Sequence, residues 1–206
     1  MGLRVNTNIA AMTAQRNLGN VTSRVQGNFS RLSSGLRIAS ASDDAAGLGI
    51  SERMRADIRS YGVAARNAQD GISLVQTAEG ALNETGGILT RMRELSVQAA
   101  NGTLSSNDRG TINTEFGQLV AELDRIASST NFNGVSLLDG NTTSLSVQVG
   151  INAGTNDVVS VAIVDATTST LGVASLDVSS ASGASAAITA IDSAINTIST
   201  NRGTLG

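Results

Sequence analysis

Arginine and carboxylate carry nearly all the ionisable chemistry of this sequence. Fourteen Arg and seventeen Asp or Glu stand among 206 residues, with one Tyr and no His, Cys, Lys, Pro or Trp. Imidazole and thiolate metal sites are thereby excluded. So are Ser-His and Cys-His nucleophiles, and the lysine of a phosphate-binding loop or a Schiff base. What remains is carboxylate chemistry: acid/base work, or a hard cation such as Ca²⁺ or Mg²⁺. The one pair placed for it is Asp43-Asp44. Two adjacent carboxylates at the start of a helical pattern more often cap that helix than hold a cation. No catalytic residue, cofactor or metal ligand is assigned, and the composition points away from an enzyme.

The charge is unevenly placed. Residues 1–42 hold five Arg and no acid, whereas residues 43–206 hold nine Arg and seventeen acids, so +5 stands against −8. An acidic body with a basic arm is the wrong distribution for general nucleic-acid binding, which wants a concentrated basic face. It suits head-to-tail contact between copies. Aromatics make up only 2% of the chain against 40% apolar residues overall. A compact core normally uses more of them, because each buries a large area; thin helix-on-helix packing needs fewer. No apolar run reaches membrane-spanning length, and the N-terminus lacks the apolar stretch of a cleavable signal.

These side chains must be positioned by helices. Val5, Ile9, Met12, Leu18, Val21, Val25, Phe29, Leu32 and Leu36 step mostly by three or four, which predicts an amphipathic helix from about Asn6 to Ile38, capped by Asn6, Thr7 or Asn8. Ser42 or Asp43 then offers an N-cap, with Asp44 in the first turn of a second helix. Met54, Tyr61, Ala68, Val75, Leu82 and Leu89 recur at sevens, with Ile58, Ala65 and Ile72 four after the first three. This is the spacing of a heptad seam, and a second stripe, Ala81, Ile88, Met92 and Leu95, widens the face in the last third. A run from Ala45 to Asn101-Gly102 makes a rod of roughly 85 Å at 1.5 Å per residue. Its glycines, Gly47 to Gly87, read as sites of close approach or bends. Ser105 and Asp108 resemble a capping box. Ile112, Phe116, Leu119, Leu123 and Ile126 continue as an antiparallel helix to about Ser129. Beyond Asn133-Gly134 the period becomes two: Leu145, Val147 and Val149, then Val159, Val161 and Ile163, predict a β-hairpin. Leu171, Val173, Leu176 and Val178 anchor a polar stretch, and Ile188, Ile191, Ile195, Ile198 and Leu205 predict a last helix. The fold class is mainly α: an elongated antiparallel helical bundle or coiled coil with a small β-hairpin region.

The division read from this pattern is an assembly helix over 1–42, a helical rod with hairpin over 43–178, and the start of a further bundle helix over 179–206. The first helix has a long apolar stripe and no partner of comparable length. Such a helix is an assembly element, a membrane-surface element, or one whose partner lies elsewhere.

Val5-Asn6-Thr7-Asn8, Arg31-Leu32-Ser33-Ser34-Gly35-Leu36-Arg37-Ile38 and Asp43-Asp44-Ala45-Ala46-Gly47 resemble the N-terminal region of bacterial flagellins. So do Asn67-Ala68-Gln69-Asp70-Gly71-Ile72-Ser73, Thr77-Ala78-Glu79-Gly80-Ala81-Leu82, Arg91-Met92-Arg93-Glu94-Leu95, Ala100-Asn101-Gly102 and Phe132-Asn133-Gly134. They run in order across residues 4–140, and Leu145 to Leu176 continues more loosely. The resemblance implies an extracellular structural subunit of the flagellar filament, exported through the flagellar type III channel without a cleaved signal. It implies as partners other flagellin subunits, the filament cap and junction proteins, and Toll-like receptor 5, with no nucleic acid and no membrane insertion. Val5, Ile9, Leu18, Val25, Leu32, Leu36, Arg31, Asp43 and Asp44 would serve filament assembly. Arg91, Leu95 and Glu115 match positions read by Toll-like receptor 5: an Arg and an exposed Leu on one helix face, and a Glu on the adjacent helix.

Two departures from the family pattern stand out. Only about Val164 to Ser182 could replace the variable outer domain. The chain also ends where flagellins continue into a C-terminal helix, the expected partner of the first helix. Residues 1–42 are accordingly expected to be disordered, or helical only against another copy. The alternatives are a hook–filament junction protein, which shares the terminal helices, and a membrane-surface-binding helical module.

Overall fold

The computed structural model describes residues 8–206. Four helices and two short antiparallel strand pairs order as α1 (Ile9–Ser34), α2 (Ala45–Ala99), α3 (Ser106–Ser129), β1 (Asn131–Phe132), β2 (Val135–Ser136), β3 (Ser144–Gln148), β4 (Val158–Ala162) and α4 (Ala181–Leu205). The chain forms two compact units, one ending at Arg59 and one from Ser60 to Gly206, with α2 contributing to both.

In the first unit, α1 is helical within a single chain. Expectation and structure therefore differ for Ile9–Ser34, and the ends of the helix give the reason. Asn8 accepts a hydrogen bond from the Ala11 amide at 3.1 Å, and Gly35 closes the other end in the left-handed conformation at φ 69°, which glycine adopts without a Cβ penalty. The helix thus stops four residues short of Ile38. Of the three capping candidates Asn8 is used; Asn6 and Thr7 lie outside the described residues. No residue of α1 is buried.

In the second unit, α3 and α4 each run antiparallel to α2. Cross-links show the directions: Arg91 meets Glu115 and Arg109 reaches Ala99 between α2 and α3, while Arg93 meets Asp192 and Arg202 meets Glu79 between α2 and α4. The core runs through Leu74, Leu82, Leu89, Met92 and Leu95 of α2, Ile112, Phe116 and Leu123 of α3, and Ala187, Ile191, Ala194 and Ile198 of α4. Alanines along α4 allow close helix approach, and Phe116 is the one aromatic buried among the described residues.

The heptad seam is real but displaced. Ala78, Thr85, Met92 and Ala99 recur at sevens and are buried, as do Leu82, Leu89 and Ser96. Of the expected positions, Leu82 and Leu89 lie in the seam, whereas Met54, Ile58, Tyr61 and Ile72 are half-exposed or more. Ile72 lines an open cleft of about 640 Å³ with Val75, Val147, Val161 and Leu205. The polar members escape an apolar-pattern search. Thr85 donates to the Ala81 carbonyl at 3.0 Å and Ser96 to that of Met92 at 2.8 Å, so both buried hydroxyls are satisfied inside their own helix.

The helix boundaries follow local chemistry. Ser105 and Asp108 form the reciprocal capping box of α3, and the hydrogen bonds from Ser105 hold the Asp108 carboxyl below its usual range. Arg109 turns back to donate to the Ala99 and Asn101 carbonyls at 2.8 Å each, placing a cation at the negative end of α2. Asn133 (φ 49°) and Gly134 (φ 80°) form the two-residue turn of a small hairpin between β1 and β2, a second hairpin that an Asn-Gly pair favours and that the period-two runs do not show. The expected hairpin is β3/β4, with Leu145 opposite Val161 and Val147 opposite Val159. It sits on α2 at Gly71, where a Cβ would lie 3.3 Å from the Val147 methyls, and Asn67 donates to the Gln148 carbonyl at 3.0 Å. Gly49, Gly62, Gly80, Gly86 and Gly87 have open space where a Cβ would stand, so close approach does not account for them.

Candidate assembly and recognition surfaces

The first surface is α1 itself. Leu18, Val21, Val25, Phe29 and Leu32 share one face at roughly 100° per residue. They are 67%, 57%, 45%, 66% and 79% exposed, an apolar stripe left open among the described residues. Ile9 and Met12 are also exposed but fall off that face, because the step from Met12 to Leu18 is six residues and not a helical repeat. Within the described part of the stripe expected from Val5 to Leu36, the apolar residues therefore form two patches. Leu36 lies beyond the helix end and is 39% exposed; Val5 lies outside the described residues.

The second is the elbow between α1 and α2. Asp43 does not cap α2. Its Oδ1 accepts from Arg31 Nη2 at 2.8 Å, and its Oδ2 accepts from the amides of Ala39 and Ser40 and from the Ser40 hydroxyl, each at 3.2 Å. The Arg31 hydrogen bond and the Ala39 amide hold this carboxyl down at about 2. Asp44 is the cap: its Oδ1 accepts from the Gly47 amide at 2.9 Å. The cap expected at Ser42 or Asp43 lies one or two residues further on, because periodicity locates a helix start only to within a residue or two. A Cβ on Gly47 would stand 2.4 Å from Asp44 Oδ2 and 2.8 Å from Ile38 Cδ1, so the start of α2 is fitted closely against the elbow. Among the described residues no group of three carboxylates converges.

The third surface spans α2 and α3. Arg91 donates from Nε (3.1 Å) and Nη2 (2.8 Å) to one oxygen of Glu115 and from Nη1 to Glu94 (3.0 Å). The Glu115 and Glu94 hydrogen bonds raise its already high pKa, so it is a fixed cation. Arg91 and Glu115 thus come together as expected, both about half-exposed. Leu95 does not join them outside. It is 2% exposed and belongs to the core. Residues four apart differ by about 40° around a helix, which here is enough to carry Leu95 into the seam while Arg91 stays at its rim. The cross-link of Arg93 to Asp192 at 2.6 Å lies 99 residues apart in sequence and carries no local signal. The same holds for Thr168, whose amide and hydroxyl bind Asp124 at 3.0 and 2.9 Å.

The chain is similar to known proteins over most of its length. The profile described as the bacterial flagellin N-terminal helical region matches residues 5–143. A flagellin of Halalkalibacterium halodurans is 46% identical over 202 residues, which is 98% of this chain and 74% of that one. Flagellin D of Vibrio cholerae is 53% identical over 154 residues, 75% of this chain and 41% of that one. The crystal structure of Bacillus cereus flagellin superposes with a TM-score of 0.61 at 37% identity, covering 68% of this chain and 81% of that one.

Proposed function

This chain belongs to the bacterial flagellin family, and on that premise we propose that it is a filament subunit which polymerises through α1. The observation that carries the proposal is the exposed stripe from Leu18 to Leu32 on a helix with no buried residue. Exposed apolar area of this extent on one helix face is removed from water only by another chain or segment, at about 25 cal/mol per Å². In this reading residues 1–42 are the assembly segment, 43–178 the helical rod with its β-hairpin, and 179–206 a further bundle helix. The chain spans three quarters of the Halalkalibacterium relative and under half of the Vibrio one, so the partners of the whole protein belong to this proposal as well. They are other flagellin subunits, cap and junction proteins, export through the flagellar type III channel, and recognition by Toll-like receptor 5 at Arg91 and Glu115. Among the described residues no helix is long and apolar enough to cross a membrane.

The test is a Phe29→Asp, Leu32→Asp double variant of the natural protein, placed in cells lacking their own flagellin. Loss of filaments by electron microscopy, with an unchanged circular dichroism melting curve for the purified variant, supports the proposal. Normal filaments overturn it.

A further inference from the structure

The ten residues from Gly35 to Asp44 join α1 to α2 without regular structure, yet they are tied to a single side chain. The Asp43 carboxylate takes four donors: the Arg31 guanidinium from the last turn of α1, the Ala39 and Ser40 amides, and the Ser40 hydroxyl. Both oxygens are used, one by the helix and one by the linker. Ser40 also shares a hydrogen bond with the Ser42 hydroxyl at 2.7 Å. Asp44 is occupied separately as the α2 cap, and Ile38 packs where Gly47 leaves room.

We propose that Asp43 is a latch: its carboxylate fixes the path of the elbow and so sets the heading from which α1 enters its assembly partner, a positioning role distinct from packing in any subunit contact. This rests on the assembly reading of α1. The physical argument is entropic. A ten-residue linker free to wander would let α1 sample many headings, each lost on docking. A carboxylate that accepts hydrogen bonds from charged and backbone donors restricts them beforehand. Arg31 is the charged group that pairs with Asp43, and Asp44 is its acidic neighbour in sequence. Four donors on one carboxylate favour its charged form, in keeping with its lowered pKa. The latch is therefore closed above the ordinary Asp range near pH 4. It opens as pH falls from there through about 2.

The experiment uses the absence of cysteine. Ser23→Cys in α1 and Ala56→Cys in α2, both exposed positions of the first unit, carry spin labels on the full chain. The latch predicts a narrow distance distribution at neutral pH. Asp43→Asn should broaden it several-fold, because the amide presents N–H to donors that need an acceptor. Arg31→Gln removes one of the four bonds and should broaden it less. Asp44→Asn, which weakens only the cap, should leave it narrow. Acidification from pH 4 to 2 should broaden the wild type but not further broaden Asp43→Asn. Circular dichroism confirms that the helices persist. A narrow distribution in Asp43→Asn, or equal broadening in Arg31→Gln and Asp43→Asn as a plain ion pair would give, overturns the latch. Filament formation by Asp43→Asn in cells lacking their own flagellin is scored separately. Normal filaments with an opened elbow keep the latch and remove its assembly role. A closed elbow overturns the latch whatever the filaments do.

Discussion

A residue's neighbours in sequence say less about its task than its angle on the helix. Arg91 and Leu95 belong to one motif, yet Arg91 is tied across the surface to Glu115 while Leu95 is sealed in the core. Their substitutions should therefore fail differently. Arg91→Ala should weaken binding to the Toll-like receptor 5 ectodomain by about tenfold, the ~1–3 kcal/mol of a truncated hot-spot arginine, with little change in melting temperature. Leu95→Ala should lower the melting temperature first, by the ~2–5 kcal/mol of a buried leucine cavity, and any loss of binding should track that destabilisation. Titration calorimetry beside thermal melts separates the two. An unchanged affinity for Arg91→Ala would make that residue a packing contact only.

At the scale of elements, the decisive property of α2 is which of its apolar stripes has something opposite. Leu82 is fully buried in the core cluster to which α3 and α4 also contribute, whereas Ile72 is 50% exposed on a cleft. Leu82→Asp places an unpaired carboxylate in the seam and should unfold the second unit, since a buried charge costs several kcal/mol or forces protonation. Ile72→Asp should change stability by no more than about 0.5 kcal/mol, the usual range for exposed positions. Urea unfolding followed by circular dichroism distinguishes them. Equal destabilisation by both would return Ile72 to the seam. The heptad count treated the two alike because both fit a seven-residue repeat, and a repeat does not state where the partner helix stops.

Across the whole molecule, stability is concentrated in Ser60–Gly206. The core cluster lies there, and the cross-links of Arg91, Arg93, Arg109 and Arg202 join its helices. A 26-residue helix with no buried side chain, such as α1, is marginal by itself. Trypsin can cut this chain only at arginine, as it has no lysine. Brief digestion should open Arg16 and Arg24 first and leave a resistant fragment containing α3 and α4, because cleavage follows local opening. Mass spectrometry of the time course reads the order. Early cuts at Arg93 or Arg109 while α1 remains intact would reverse this account of where the stability lies.

The sequence by itself determined the helix order, the α3 capping box, the β3/β4 hairpin and the buried anchors Leu171, Val173 and Val178. Each is written in a local signal: a period of 3.6 or 2, a cap, or an apolar residue in a polar stretch. It also determined that α1 carries more apolar surface than the described residues cover. It could not decide which stripe of α2 is buried, whether Leu95 serves the apolar stripe or an exposed contact, or that Asp43 belongs to the elbow and Asp44 to the cap. Nor could it pair Arg93 with Asp192 or Thr168 with Asp124. These depend on where distant elements lie and on rotations of a few tens of degrees about a helix axis. Periodicity fixes the spacing of such residues; only the packed neighbours fix which side of the spacing meets the core.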